Sequence, residues 1–155
     1  MSDPARPVVR VVDVYPYRRR ADGLEFLLLR RAAGRVYAGE WRVVGGKIEA
    51  GEAAWQAALR ELAEETGQRP AHAWTVPSVN AFYAWQTDGL NLIPAFAAEL
   101  DADPVLNDEH DAFAWLSPAE AEARLRWPEQ QRLLRLVADL LRRTTLPPDL
   151  ILPTL

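Results

Sequence analysis

A stripe of three glutamates is the feature that most constrains how this chain of 155 residues can fold. Glu61, Glu64 and Glu65 are spaced i, i+3 and i+4, which puts their carboxylates on one face of an α-helix. Like charges at this spacing repel one another and destabilise the helix. A cation in front of the stripe removes that cost, and oxygen-only ligands suit a hard divalent ion such as Mg²⁺ or Mn²⁺. The stripe therefore predicts a helix over residues 53–66 that presents a metal site.

Other residues stand at set distances from the stripe. Gly46 is followed after five residues by Glu52, which we expect in the first helical turn, where a carboxylate opposes the helix dipole favourably. Gly67 is expected to cap the end of the helix in the left-handed conformation. Gly45 and Gly46 are expected to form a tight loop whose backbone can approach a ligand closely.

The complete pattern reads Gly46, five residues, Glu52, seven residues, then Arg60-Glu61-Leu62-x-Glu64-Glu65-x-Gly67. It resembles the signature of the Nudix hydrolases, with one departure: the family usually has a bulky aliphatic residue where this chain has Gln68. The resemblance implies an α/β fold, namely an α/β/α sandwich around a mixed central sheet. It also implies Mg²⁺-dependent hydrolysis of a diphosphate linkage by an activated water, with Mn²⁺ able to substitute.

The same resemblance implies roles for the signature residues. Glu61, Glu64 and Glu65 are the expected metal ligands, together with a backbone carbonyl at Gly46 or its neighbour. Glu52 belongs to the metal site or to the shell behind it, and Arg60 orients a glutamate. Glu61, Glu64 and Glu109 remain open as the general base, because related enzymes place a base or a further metal ligand on a late acidic loop. His110, beside Glu109, is expected to be structural.

Cationic and aromatic residues outside the signature are the candidates for substrate contact. Arg30 and Arg31 offer guanidinium groups that suit phosphate oxygens, and at least one is expected to face the substrate while the other pairs with a carboxylate. Lys47, the only lysine, is assigned to the same task. The aromatic candidates for stacking on a base or pterin are Tyr37, Trp41, Phe82, Tyr83 and Trp85.

The sequence identifies the diphosphate linkage that is cleaved more narrowly than it identifies the substrate. Glu109-His110, Trp115-Leu116 and the segment Leu-Arg-Trp-Pro-Glu-Gln at 125–130 resemble the Nudix subgroup that acts on dihydroneopterin triphosphate or dATP. A dinucleoside polyphosphate or a nucleotide sugar of the ADP-ribose type is the alternative substrate. A non-catalytic nucleotide-binding module is the remaining possibility, although such relatives tend to lose the glutamates that this chain keeps.

Composition narrows the remaining classes of function. With 49% apolar residues the chain is expected to form one domain over residues 1–155, with its core in 7–143 and a Pro-rich tail in 144–155. The net charge of −4 argues against a nucleic acid polymer as partner and favours a small phosphorylated molecule. There is no cysteine and no apolar run at the N-terminus, so we expect no disulfide, no membrane span and a cytoplasmic location. A homodimer is left open.

Hydrophobic periodicity and turn residues predict the elements. Asp22-Gly23 is expected to join a hairpin, and Ser117 to cap a helix that begins at Pro118. Predicted strands cover 7–15, 24–30, 41–44, 72–85 with a break at Pro77, 90–100 and 112–116. Predicted helices cover 53–66, 118–126 and 129–143.

Overall fold

One mixed sheet of eight strands forms the centre of the molecule in a computed structural model, which describes residues 3–143 and 145–153. The strands are β1 (Arg6–Val8), β2 (Val11–Arg20), β3 (Gly23–Arg31), β4 (Trp41–Arg42), β5 (Val44–Lys47), β6 (His72–Ala84), β7 (Gly89–Glu99) and β8 (His110–Leu116). The path through the sheet is β1-β7-β2-β3-β4, with β5 also paired to β2, β6 to β7 and β8 to β3. β7 runs parallel to β1 and β2, and the other pairs are antiparallel.

Helices cover both faces of this sheet. α1 (Ala54–Thr66) lies on one face, while α2 (Pro118–Arg124) and α3 (Pro128–Leu141) lie on the other, and a 3-10 turn covers Pro148–Leu150. Alternate residues of β2 separate the two cores: Val12 and Val14 pack with α1, whereas Tyr15 and Tyr17 pack with α2 and α3. The predicted α/β/α sandwich with a mixed sheet is confirmed.

The helix ends follow from local chemistry. Gly67 ends α1 with φ of 72° and donates its N–H to Ala63, as expected of a left-handed cap. Ser117 accepts a hydrogen bond from the backbone of Glu120, whose carboxylate accepts the N–H of Ser117 in return. α2 ends at Arg124 and α3 at Leu141, each two residues earlier than predicted.

Two of the predicted strands are each divided into two shorter strands, because of pairing with residues that are distant in the sequence. The run at 7–15 becomes β1 and β2, since both pair with β7 but the chain inserts one extra residue between Val8, opposite Asn91, and Asp13, opposite Ala95. The stretch 41–44 becomes β4, which pairs with β3, and β5, which pairs with β2. Gly45 and Gly46 therefore lie inside β5, and the expectation of a tight loop was wrong.

The C-terminal segment packs on the edge of β6. Ile151 bridges Trp74, and Leu152 donates its N–H to the carbonyl of Ala73 at 2.9 Å. Of the predicted tail, residues 144, 154 and 155 lie outside the described residues. Among the described helices, none has the length and apolar character needed to cross a membrane.

Candidate active site

Strand β5 and helix α1 approach so closely that a side chain at Gly46 would not fit. A Cβ added there would lie 2.2 Å from the carboxylate carbon of Glu61, and one added at Gly45 would lie 2.6 Å from the carbonyl of Val12. The N–H of Gly45 donates to Oε2 of Glu65 at 3.2 Å. The two glycines thus allow the backbone of β5 to lie directly against the carboxylates of α1.

Arg60 of α1 is the centre of an ion-pair network that extends to Glu52, which lies before the helix and not in its first turn as predicted. Its Nε and Nη2 donate to the two oxygens of Glu52 at 2.8 and 3.0 Å, and Nη2 also reaches the carbonyl of Lys47 at 2.8 Å. Its Nη1 donates to Glu61 at 3.0 Å and to Glu64 at 3.2 Å. Because one Glu52 oxygen also accepts the N–H of Glu49, Glu52 is engaged in holding Arg60.

Burial makes the carboxylates of α1 difficult to ionise. It raises the pKa of Glu65 to about 9, and the charge of Glu61 adds to that effect. Burial also raises the pKa of Glu61, although the Arg60 guanidinium opposes the shift. The pKa of Glu52 is lowered by its hydrogen bonds from Arg60. A divalent cation would offset the cost of ionising Glu61 and Glu65 together, which Arg60 alone does not remove.

The acidic loop before β8 brings Glu109 to this stripe. One ligand atom each from Glu65, Glu109 and His110 lie within 4.8 Å of one another, and His110 Nε2 is 3.6 Å from Glu65. Burial lowers the pKa of His110 to about 4, so its imidazole is neutral at neutral pH. Asn107 ties the loop to the helix by donating to the carbonyl of Glu64 at 3.1 Å and accepting from the N–H of Glu109 at 3.1 Å.

Gln68, where the chain departs from the Nudix signature, holds this loop from its other end. Its amide nitrogen donates to the carbonyl of Ala102 at 2.7 Å, and its amide oxygen accepts the N–H of the same residue at 3.3 Å. The N–H of Val105 donates to the carbonyl of Thr66 at 2.9 Å. Polar bonds thus attach the loop to the end of α1 beside residue 68.

A cavity of about 1020 Å³ opens from the stripe, which is enough for a nucleotide. Its lining includes these predicted site residues: Gly46, Glu61, Glu65, Glu109, Arg31, Lys47, Tyr37 and Tyr83. Glu64 lies outside this lining with its side chain 53% exposed, while its carboxylate contacts Arg60.

Two predicted substrate contacts lie away from the cavity. Neighbouring residues of a strand point to opposite faces, so Arg31 lines the cavity whereas Arg30 pairs with Asp111 at 2.7 Å. Trp41 packs against the core beside α3 and stacks with Arg124 and Arg30 at 4.9 and 5.9 Å. Arg30 and Trp41 thus lie outside the cavity lining and contact side chains of the fold, and their assignment to substrate binding stays a prediction.

Three polar residues of the cavity lining were not predicted from the sequence: Asp13, Asn80 and Gln130. Burial raises the pKa of the Asp13 carboxyl, against the hydrogen bonds from Gln130 and Asn80. A signal was available for Asp13, which is the only charged residue in the buried run Val11–Tyr17. The other two could not be recognised, because their meeting with Asp13 depends on the tertiary fold.

Residues 5–138 match the family model described as the NUDIX domain. The chain is 38% identical over 130 residues to an octanoyltransferase of Myxococcus xanthus, covering 78% of this chain and 34% of that protein, so it spans about a third of this relative. It is 32% identical over 121 residues to the CTP pyrophosphohydrolase of Escherichia coli, covering 73% of this chain and 81% of that protein. The E. coli dihydroneopterin triphosphate pyrophosphohydrolase has the same fold, with a TM-score of 0.71 at 22% identity over 88% of this chain and 99% of that chain.

Proposed function

The chain belongs to the Nudix family, and we propose that it is a Mg²⁺-dependent pyrophosphohydrolase that cleaves a diphosphate linkage in a nucleoside triphosphate or a related pterin triphosphate. The observation that carries the proposal is that Glu61 lies against Gly46, Glu65 accepts the N–H of Gly45 and Glu109 lies beside Glu65, all in the lining of a cavity large enough for a nucleotide. Carboxylates at this density beside an open cavity suit divalent cations and phosphate groups.

Glu64, Glu65 and the carbonyl of Gly46 are the residues that would hold Mg²⁺, or Mn²⁺ in its place. The fit rests on the donor set, which consists of oxygen ligands and includes a carboxyl whose pKa burial has raised to about 9. A bound ion would supply charge neutralisation for the diphosphate and acidify an attacking water. Glu52 engages Arg60 with both oxygens, so we assign it to positioning rather than to metal binding.

The remaining steps fall to side chains of this chain. Glu61 is our choice of general base, because burial raises the pKa of its carboxyl, which makes it a better proton acceptor, and because it lies at the cavity wall. Arg60 keeps Glu61 and Glu64 in one orientation through Nη1. Arg31 and Lys47 offer positive charge to the phosphates, and Tyr37 and Tyr83 offer rings for stacking.

A nucleoside triphosphate is the substrate class that the relatives favour. The E. coli CTP pyrophosphohydrolase shares 32% identity and is covered over 81% of its length, which supports this class over dinucleoside polyphosphates and nucleotide sugars. A pterin triphosphate is supported by the sequence resemblance at 109–116 and 125–130. The cytoplasmic location and the homodimer stay predictions.

The decisive experiment measures product release from nucleoside triphosphates, pterin triphosphate, dinucleoside polyphosphates and nucleotide sugars with Mg²⁺ or Mn²⁺. We expect hydrolysis of a triphosphate, and a loss of about a hundredfold or more in kcat for Glu64→Gln, since that change removes a metal-binding charge without altering shape. Glu120→Gln is the matched control, because glutamine preserves the capping interaction of α2. Undiminished activity in Glu64→Gln would contradict the metal assignment, and no hydrolysis of any compound would contradict the proposed function.

A further inference from the structure

Three buried polar side chains meet at the wall of the cavity that lies on the α3 side of the sheet. Asp13 of β2, Asn80 of β6 and Gln130 of α3 are 8%, 5% and 6% exposed. Gln130 donates its amide to Oδ2 of Asp13 at 3.1 Å, and Asn80 donates to the same oxygen at 3.4 Å. We refer to these three residues as the polar trio.

The polar trio retains unused hydrogen-bonding capacity. Asn80 Oδ1 is buried and has no hydrogen-bond partner among the described residues. The bond from Asn80 to Asp13 is long at 3.4 Å, so the amide can turn without losing a strong interaction. Buried polar groups without partners reduce stability, and apolar residues would fill this space more favourably. A ligand that completes the hydrogen bonds of the polar trio accounts for the presence of residues that otherwise reduce stability.

The surrounding structure holds the polar trio in place. Next to Asn80, the pairing of β6 with β7 shifts register between Thr75 and Val79. Arg132 of α3 donates to the exposed carbonyl of Val79 at 3.0 Å and to Ser78 at 3.2 Å, while Glu129 accepts the N–H of Ala81 at 3.2 Å. Arg132 and Glu129 are also paired with each other. The start of α3 is thus fastened to the irregular part of β6 that presents Asn80.

Charge decides which part of a nucleotide this wall can accept. Asp13 offers phosphate no positive charge in either protonation state. Arg132 is already bound to Glu129 and the backbone, and Arg42, the cation of the lining that acts on Asp13, lies over the ring of Tyr37 at 5.2 Å. Arg31, by contrast, lies 3.9 Å from Glu109, and Lys47 follows Gly46 in β5. Phe82 and Trp127 supply exposed aromatic surface in the cavity lining. The wall at the polar trio therefore suits a flat ring that carries N–H donors.

We propose that the polar trio recognises the exocyclic amino group of a nucleobase or pterin ring, with Asn80 Oδ1 accepting one of its hydrogens and Asp13 contacting the neighbouring ring position. This assignment rests on the proposed hydrolysis of a triphosphate and adds the specificity of the same site. Asn80 and Asp13 are specificity determinants, and Gln130 positions Asp13 from α3. A ring that lacks the amino group leaves Asn80 Oδ1 without a hydrogen-bond donor in the complex.

The test compares nucleoside triphosphates that differ only in one amino group. The pairs are GTP with ITP, ATP with purine riboside triphosphate, and CTP with the triphosphate of 2-pyrimidinone riboside. For at least one pair we expect kcat/KM to be about tenfold higher for the amino compound, as one hydrogen bond to a buried acceptor allows. Asn80→Leu, similar in size, should abolish that preference, so that kcat/KM becomes equal within the pair. Asn91→Leu on β7 is the matched control, because Asn91 lies outside the cavity lining.

A binding measurement separates this inference from the proposed activity. The corresponding nucleoside monophosphates are titrated into metal-free protein while tryptophan fluorescence is recorded, since Trp85 and Trp127 line the cavity. We expect tighter binding of the amino member of the preferred pair in the wild type and in Asn91→Leu, with equal binding in Asn80→Leu. Equal kcat/KM and equal affinity within every pair in the wild type would overturn the inference and leave the proposed hydrolysis standing. Preferential binding without hydrolysis would support the inference and contradict the activity.

Discussion

At the scale of single residues, the absence of a side chain at Gly46 matters as much as the carboxylates opposite it. The space that a Cβ would occupy holds the Glu61 carboxylate, at 2.2 Å from the position of that atom. Backbone and carboxylate can therefore face the same small volume, which is the arrangement that a shared cation requires. The glycine is needed for space, because its φ lies outside the left-handed region.

Gly46→Ala should displace Glu61 and lower activity strongly. The added methyl overlaps the carboxylate, so we expect a loss of about a hundredfold in kcat, and about 1–3 kcal/mol in the free energy of unfolding. Steady-state kinetics and urea denaturation measure the two effects. Gly89→Ala is the matched control, because its Cβ would come no closer than 3.3 Å to the neighbouring side chains of Val8, Thr87 and Asn91. Equal activity in the two variants would contradict the packing argument.

Glu65 should make the metal-free protein less stable as the pH rises. Its pKa is about 9 in the folded chain, against about 4.3 for a glutamate in an unfolded one. Between these values the folded state keeps a proton that the unfolded state has released, so the free energy of unfolding falls with rising pH. The pKa of His110 is lowered to about 4, so its opposite contribution is confined to pH values below about 6.5.

Thermal unfolding in a chelator from about pH 6.5 to 9 avoids the contribution of His110, and comparison with Glu65→Gln gives the part that comes from Glu65. We expect Tm to decline across this range in the wild type and to be flatter in Glu65→Gln, whose amide does not titrate. Glu120→Gln should keep the wild-type slope. The interpretation fails if Glu65→Gln and the wild type lose Tm in parallel.

At the scale of elements, the end of α1 and the acidic loop behave as one unit because Gln68 joins them. Its two hydrogen bonds with Ala102 and the bond from Val105 to Thr66 fix both sides of the loop that carries Glu109. An aliphatic residue, which the Nudix signature usually has here, could not make the two amide bonds. The departure from the signature thus replaces apolar packing with directional contacts.

Gln68→Leu should loosen the loop while leaving the helix intact. We expect faster hydrogen exchange at the amides of Ala102 and Val105, and a decrease in the free energy of unfolding of about 1 kcal/mol. The amides of Leu62 and Ala63, within α1, provide the internal reference. Unchanged exchange at Ala102 would show that the loop is held by other contacts.

Elements were predictable from sequence where their determinants are local. The 3.6-residue period of the stripe and the Gly67 cap belong to α1, and the Ser117 capping box belongs to α2, so each signal lies within a single helix. Both helices begin within a residue of their predicted starts. The division of the run at 7–15 depends on pairing with β7, more than 80 residues away, and no local pattern records it. The placement of Gly45 and Gly46 inside a strand likewise depends on the distant pairing of β5 with β2, which no local pattern records.

The site was predictable to a similar degree. The signature names the glutamates because one helix aligns them, whereas Arg30 and Arg31 could be told apart only by the face of the sheet that each occupies. The polar trio requires partners 67 and 117 residues from Asp13. Site residues carried by a single helix could therefore be predicted from the sequence, whereas a group of residues assembled from three elements could not.

At the scale of the whole molecule, the sandwich places two different surfaces at one cavity. The α1 side supplies the carboxylates and the α3 side supplies the polar trio, and β2 and β5 meet between them, where Asp13 pairs with Gly45. A substrate in this cavity would contact both layers of the fold. Changes in either helical layer should therefore affect turnover, those near α1 through kcat and those near α3 through the choice of substrate.

The bridge between Ile151 and Trp74 also bears on how copies of this chain behave towards one another. β6 is an outer strand, and the C-terminal segment occupies hydrogen-bonding groups at Ala73 and Trp74 that an outer strand would otherwise offer to another molecule. A chain truncated after Arg143 should therefore self-associate at concentrations at which the full chain does not, as measured by light scattering. Ile151→Lys in the full chain, which keeps the backbone cover, should remain unaggregated. We therefore expect the contacts of Ile151 and Leu152 to protect β6 from strand-to-strand pairing, a role separate from catalysis.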